Sequence, residues 1–379
     1  MTRGLAALAI VAAPLIGLEL GSGLALALLG WESSTPLRSG QPHLVYDVRR
    51  HHKLRPSFHE DSVSVNSQGF RGSEFSVPKP RGLFRVVALG DSVTFGSYDC
   101  LDRPSHYCPD ESSYPAQLQA ILDQGDGRRL QVINAGTQGY TSRQAWYWFQ
   151  DEIAALQPDL VILYLGWNDL INSTRHVPSL GNLVEHTPIL RAVSEAAQVN
   201  SRLYRLVWYG ARHLQATPPG PLSPIEIVRA EPPAYVAVDP NDRAEYEANV
   251  RAIVRRAHAI GARVIILTLA APLDATGTGL GPDQDREVLG WLQWPDFAGL
   301  AHEIQRYNAT LTMVAREEGA ELIDLAAIVR ALDGPRLFML PDILHLRHEA
   351  MPAVAASLAA QLRARGLVPE PAAAAAIGR

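Results

Sequence analysis

Four stretches of this sequence carry polar groups where apolar runs stop or loops begin. The first is Gly90-Asp91-Ser92, inside RVVALGDSVTFG (85–96). A serine hydroxyl is a weak nucleophile until a base takes its proton, and histidine titrates in the range for that duty. The second stretch, PDILHLRHE (341–349), holds Asp342 and His345 three positions apart. In a turn leading into a helix, that spacing lets both side chains face one point. A carboxylate so placed holds the imidazole in its productive tautomer and stabilises the imidazolium. A tetrahedral intermediate then needs N–H donors for its oxyanion. The backbone at Ser92, the backbone at Gly139 of NAGTQGY (134–140) and the amide of Asn168 in GWND (166–169) offer three. Losing one such donor costs about 10²–10³ in rate.

Each piece also has a plainer reading. Gly-Asp-Ser ends many strands for turn reasons, and a lone histidine is usually structural. Gly136 and Gly139 serve as turn formers. His345 and His348 in HLRH suggest a metal pair, but no third ligand accompanies them and nothing matches H-E-x-x-H. GDSVTFG would also suit the phosphate loop of a flavin-binding protein, were it not that Asp91 repels phosphate. The two lysines, Lys53 and Lys79, both precede the main pattern, so no lysine serves a phosphate loop or a Schiff base there.

The elements that must position these residues follow from periodicity. After Arg81, β-branched runs alternate with amphipathic stretches. The runs are FRVVALG (84–90), LQVINA (130–135), DLVILYLG (159–166), RVIILTLA (263–270) and ELIDLA (321–326). Continuous apolar strands predict a sheet covered on both faces, and strand–helix alternation predicts parallel strands with right-handed crossovers. The expected fold is three-layer α/β/α and flavodoxin-like, with five parallel strands in the order 2-1-3-4-5 and the site beyond their carboxyl ends. Two stretches, about 171–240 and 271–297, interrupt this frame after strands and are expected to be insertions that roof the site and set specificity.

The chain of 379 residues has a formal charge of -5 and a pI of about 6.2, and this balance does not suggest a nucleic-acid partner. Residues 5–31 are almost wholly apolar, and about 20 such residues span a bilayer. Residues 1–31 therefore predict a membrane anchor with the rest of the chain outside the cytoplasm, periplasmic or at the cell surface. Glu19 needs a partner there. A cleaved signal peptide, giving a secreted protein, and a buried core helix are the other readings. Residues 32–80 are expected to form a linker packing on the domain, 81–366 the domain itself, and 367–379 a disordered tail. Cys100 and Cys108 share one polar loop. They close a small disulfide ring in an oxidising compartment, or stand as two free thiols.

In order along the chain, the Ser, Gly, Asn and Asp-x-x-His stretches resemble the SGNH (GDSL) hydrolase superfamily. ALGDSVTFG looks like its nucleophile block, NAGTQG its glycine block, GWND its G-x-N-D block and DILH its D-x-x-H block. The resemblance covers about 84–366. It implies Ser92, Asp342 and His345 as catalytic residues, Ser92, Gly139 and Asn168 as the oxyanion hole, and no metal or cofactor. VNSQGFRG and the glutamate-bearing anchor also look like membrane-attached bacterial members. The glycine common after the histidine is replaced here by Glu349-Ala350-Met351, which affects how the last helix starts. The implied reaction is cleavage of a carboxylic ester, of an acylated envelope glycan or lipid, through an acyl-enzyme on Ser92. An O-acyltransferase acylating a glycan with the same residues, and a catalytically idle membrane-tethered binding module, are the alternatives.

Overall fold

The structure is a computed structural model that describes residues 2–29, 41–47, 49–60, 62–102, 106–123, 129–173, 188–215, 232–234 and 240–369. The chain divides into two compact units, Met1–Arg55 with His176–Ser223, and Pro56–Arg175 with Pro224–Arg379.

The first unit opens with helix α1, Thr2–Leu28, and continues into an antiparallel hairpin of β1, Leu44–Asp47, and β2, His51–Leu54. Two helices, Pro188–Asn200 and Arg202–Gln215, complete it. Among the described residues no helix is long and apolar enough to cross a membrane. That corrects four expectations: the membrane anchor, the membrane as a partner, the membrane-anchored extracytoplasmic placement, and the likeness to membrane-attached relatives. The physical reason is polar: Glu19 puts a charge within the apolar run, and protein donors meet it. The Glu19 carboxylate accepts from Ser201 Oγ at 2.9 Å, from the Leu203 N–H at 3.2 Å and from the Arg202 N–H. It thereby satisfies donors that helix 202–215 leaves open at its N-terminus. Ser22 and Leu26 on α1 are buried, while Leu20 and Leu24 remain exposed.

The second unit starts with a short antiparallel pair, β3, Phe58–Glu60, and β4, Val63–Val65. Its sheet begins with β5, Leu83–Gly90, whose last six residues are all buried. Helices α2, Ser92–Phe95, and α3, Tyr114–Leu122, lead to β6, Arg129–Gly136. Next come α4, Ser142–Asp151, then β7, Leu160–Tyr164, buried along its length, and α5, Trp167–Asn172. The chain returns with α6, Pro240–Ala259, β8, Arg263–Leu267, α7, Pro282–Leu292, and α8, Phe297–Glu318. It closes with β9, Glu321–Ile323, α9, Leu325–Leu332, and α10, Met351–Ala364.

Five strands hydrogen-bond in the order β6-β5-β7-β8-β9, every pair parallel. Numbered within the sheet this is 2-1-3-4-5, the expected flavodoxin-like order. Strands buried on both faces leave no room for alternation, which is why the apolar runs are continuous. The helices start where local chemistry supplies caps. Thr141 and Gln144 form a capping box on α4, Asp296 accepts from the Gly299 N–H at 2.7 Å on α8, and Asp324 caps α9.

Much of 171–240 lies outside the described residues, as do 370–379 of the expected tail. Leu367 and Val368 are buried. Residues 271–297 contain α7 and a tight turn closed by Asp274 and Gly277. Between β4 and β5, Phe70 stacks on Trp148 with ring centroids 4.9 Å apart, so this irregular segment packs on the α/β body.

Candidate active site

The sheet's first strand delivers its polar tip under tight steric control. A Cβ on Gly90 would lie 2.0 Å from Thr94 Oγ1, and one on Gly136 would lie 2.1 Å from the Phe95 nitrogen. The short helix α2 therefore sits directly on the ends of β5 and β6, closer than any side chain permits. Asp91 caps that helix by accepting from the Val93 N–H at 2.9 Å. Ser92, its first residue, is half-buried.

Opposite it, the loop after α9 carries Asp342 and His345. One Asp342 oxygen accepts from the Leu344 and His345 N–H groups at 2.8 and 3.1 Å, which fixes the carboxylate within its own turn. The other oxygen lies 2.6 Å from His345 Nδ1, and His345 Nε2 lies 2.7 Å from Ser92 Oγ, across 253 positions of sequence. The three side chains form one continuous hydrogen-bonded row.

The charges in this row are set by competition. Burial raises Asp342, but the His345 charge and the hydrogen bonds of His345, Tyr98 and Leu344 outweigh it and hold the carboxyl below its ordinary value. Burial lowers His345, and Asp342 more than reverses that, so the imidazole stands above its ordinary value. Asp91 differs. It is fully buried with no cation bonded to it, and burial pushes it up to about 7 against the pull of the Val93 N–H and His345.

Asn168 stands at the start of α5, after Gly166, whose φ of 135° suits only glycine. Its amide nitrogen donates to the Tyr140 carbonyl at 3.0 Å and lies 3.4 Å from Asp91 Oδ2. The neighbouring Asp169 accepts from Ser142 Oγ at 2.6 Å and from the Ser142 N–H, tying α5 to the start of α4. Burial, opposed by those bonds, raises Asp169 to about 6. Gly139, itself exposed, lies in the otherwise buried turn between β6 and α4, in the left-handed region with φ 73°. Asn134 serves the scaffold: its side chain bridges the Phe95 carbonyl and the Gly136 N–H.

Three features had no sequence signal. Tyr98 donates to the same Asp342 oxygen that meets His345. Arg71 is fully buried; it donates to Asp110 at 2.7 Å, to the Phe95 carbonyl at 2.7 Å and to the Cys108 carbonyl at 2.6 Å. Its guanidinium also lies over the Phe95 ring, 4.3 Å from the centroid. The third is the Asp91–Asn168 contact. Cys100 and Cys108 are joined in a disulfide. Asp99, Cys100, Cys108 and His348 bring ligand atoms within 4.8 Å of one another, but the sulfurs are bonded to each other, and sulfur ligates a metal as thiolate. His348 instead pairs with Asp99 at 3.1 Å.

Comparison with curated proteins finds no match. Among solved structures, the chain is similar to a lipase/acylhydrolase from Enterococcus faecalis, at 16% identity and a TM-score of 0.42, covering 77% of this chain and 100% of that one. It is also similar to LAE5, an alpha/beta hydrolase from the metagenome of Lake Arreo, at 18% identity and a TM-score of 0.41, covering 76% and 97%. A catalytic mutant of Axe2, an acetylxylan esterase from Geobacillus stearothermophilus, matches at 16% identity and a TM-score of 0.41, covering 74% and 93%. A family model described as the GDSL-like Lipase/Acylhydrolase family matches residues 88–351, from the nucleophile strand to the start of the last helix. With more than half of its length so matched, this chain belongs to that family and is an SGNH/GDSL-type hydrolase.

Proposed function

We propose that the chain cleaves carboxylic esters through an acyl-enzyme on Ser92. The reading is carried by the row Ser92 Oγ to His345 Nε2 at 2.7 Å and His345 Nδ1 to Asp342 Oδ2 at 2.6 Å. In it, His345 takes the Ser92 proton as Ser92 Oγ attacks the ester carbonyl. Asp342 fixes the tautomer that presents Nε2 and stabilises the imidazolium that forms. The oxyanion receives hydrogen bonds from the Ser92 and Gly139 N–H groups and the Asn168 amide. His345 returns its proton to the leaving alkoxide. Water, activated by the same imidazole, then attacks the acyl carbonyl and frees Ser92. The Tyr140 carbonyl supports Asn168's part, because accepting one amide hydrogen fixes the orientation of the amide and so the direction of its second N–H.

The substrate is an acyl ester of a carbohydrate or lipid. The test is a panel of p-nitrophenyl esters from C2 to C16, with and without glycan acceptors, on the purified full-length chain. Ser92→Ala is expected to lower kcat by at least about 10³-fold while leaving the fold intact. Turnover unchanged in that variant would exclude the serine mechanism, and transfer to acceptor faster than hydrolysis would recast the enzyme as an acyltransferase.

A further inference from the structure

Ser97, Tyr98 and Asp99 follow the nucleophile helix as consecutive residues, and each reaches the loop that carries His345. Ser97 Oγ donates to the Leu346 carbonyl at 2.8 Å. Tyr98 donates its hydroxyl to Asp342 Oδ2. Asp99 accepts from the His348 N–H at 3.2 Å and pairs with His348 Nδ1 at 3.1 Å. The next residue, Cys100, is bonded to Cys108, whose N–H returns to the Ser97 carbonyl at 3.0 Å. The three residues thus form the mouth of a closed ring.

Within this clasp, Tyr98 touches both members of the acid–base pair. Its ring meets the His345 imidazole edge-on, with centroids 4.9 Å apart, and its hydroxyl lies 3.4 Å from Nδ1. Burial, then the Asp342 charge, pushes the phenol well above its ordinary range, so it stays protonated and donates. We propose that Tyr98 is a positioning residue for the hydrolase site: it shares Asp342 Oδ2 with His345, fixing the carboxylate's orientation and drawing off part of its charge, while the Cys100–Cys108 ring holds it in place. The proposal rests on the assignment of roles to Ser92, His345 and Asp342 given above.

The physical consequence has a definite sign. A phenol donor stabilises the Asp342 carboxylate independently of the imidazole. Removing it leaves the full charge to His345, so the imidazolium is better stabilised and His345 titrates at higher pH. A purely structural role for Tyr98 would instead lower activity equally at every pH.

The test compares wild type with Tyr98→Phe, which keeps the ring and removes one oxygen. The His345 imidazole is titrated by ¹⁵N NMR in each full-length protein, its signal assigned by its loss in His345→Gln. The expected result is an upward shift of about half a unit to one unit in Tyr98→Phe, with kcat/KM for p-nitrophenyl acetate lowered roughly 3–10-fold on the acid limb and KM unchanged. Coincident His345 titrations in the two proteins would overturn the proposal, as would a rate loss uniform across pH. If Tyr98→Phe does not fold, reduction of the Cys100–Cys108 bond in the native protein releases the same loop, and an unmoved His345 titration there would overturn it equally. The NMR readout does not depend on turnover. A shift seen alongside turnover that survives Ser92→Ala would sink the serine mechanism and leave the Tyr98 contact standing.

Discussion

His345 is pulled in two directions. Burial favours the neutral ring, and Asp342 at 2.6 Å favours the imidazolium; the carboxylate wins, and the group titrates above its ordinary value. A general base must be neutral to accept the serine proton. The proposed mechanism therefore requires kcat/KM to fall as pH drops through a value higher than that of free imidazole. A pH profile of kcat/KM, measured with a short-chain ester well below KM, checks this, and an acid limb at or below the free value would contradict the assignment of His345 as base. In Asp342→Asn the upward pull is gone while burial remains. The limb is expected to move to lower pH, with a rate loss on the order of 10³–10⁴ from the lost tautomer control. Asp91 illustrates what no residue type reveals. An acid before a serine at a strand end has a plain turn reading, yet Asp91 is fully buried, raised to about 7 and placed beside Asn168.

At the scale of elements, the site depends on how closely α2 can sit on β5 and β6. Gly136 matters for space, since a Cβ there would meet the Phe95 nitrogen at 2.1 Å. That atom is backbone and cannot swing away. Gly136→Ala is expected to destabilise the fold by about 3 kcal/mol, the upper end of the range for overpacking. The check is the urea midpoint at unchanged m-value. Because the displaced segment carries Ser92, esterase activity should fall as well. The strands were legible in the sequence because a sheet buried on both faces demands unbroken apolar runs, as in LVILY of β7. The clasp formed by Ser97, Tyr98 and Asp99 was not. An irregular loop has no period, and its contacts are made with residues about 249 positions away.

At the scale of the molecule, Arg71 joins segments distant in the chain. Its guanidinium bonds Asp110 and the carbonyls of Phe95 and Cys108, so it ties the segment before β5 to the nucleophile helix and to the disulfide ring. Burial lowers its pKa, and Asp110 opposes that fall. Replacing it by Met would leave Asp110 without its cation, the Cys108 carbonyl without the Arg71 donor, and the Phe95 carbonyl with Asn134 alone. Arg71→Met is expected to cost about 3–5 kcal/mol, the range for breaking a buried pair from one side. Thermal unfolding measures it, and a loss below about 1 kcal/mol would show that the neighbourhood relaxes to readmit water. The first unit carries its own version of this economy, where Glu19 serves the open end of helix 202–215. From sequence alone that apolar stretch read as a membrane anchor, because hydropathy averages over a helix and does not see which face meets protein.

Local physics acting over a few residues was written in the sequence itself. The spacing of Asp342 and His345 within one turn, the continuous apolar strands and the helix caps each depend on neighbours in the chain. The five-stranded order followed from them through the handedness of parallel crossovers. The distance from Ser92 to His345, the burial of Asp91, the sharing of Asp342 by Tyr98 and the surroundings of α1 belong to the tertiary structure alone. They are energies of proximity between groups far apart in the chain, and no pattern of residue types sets a distance until the sheet has brought its strand ends together.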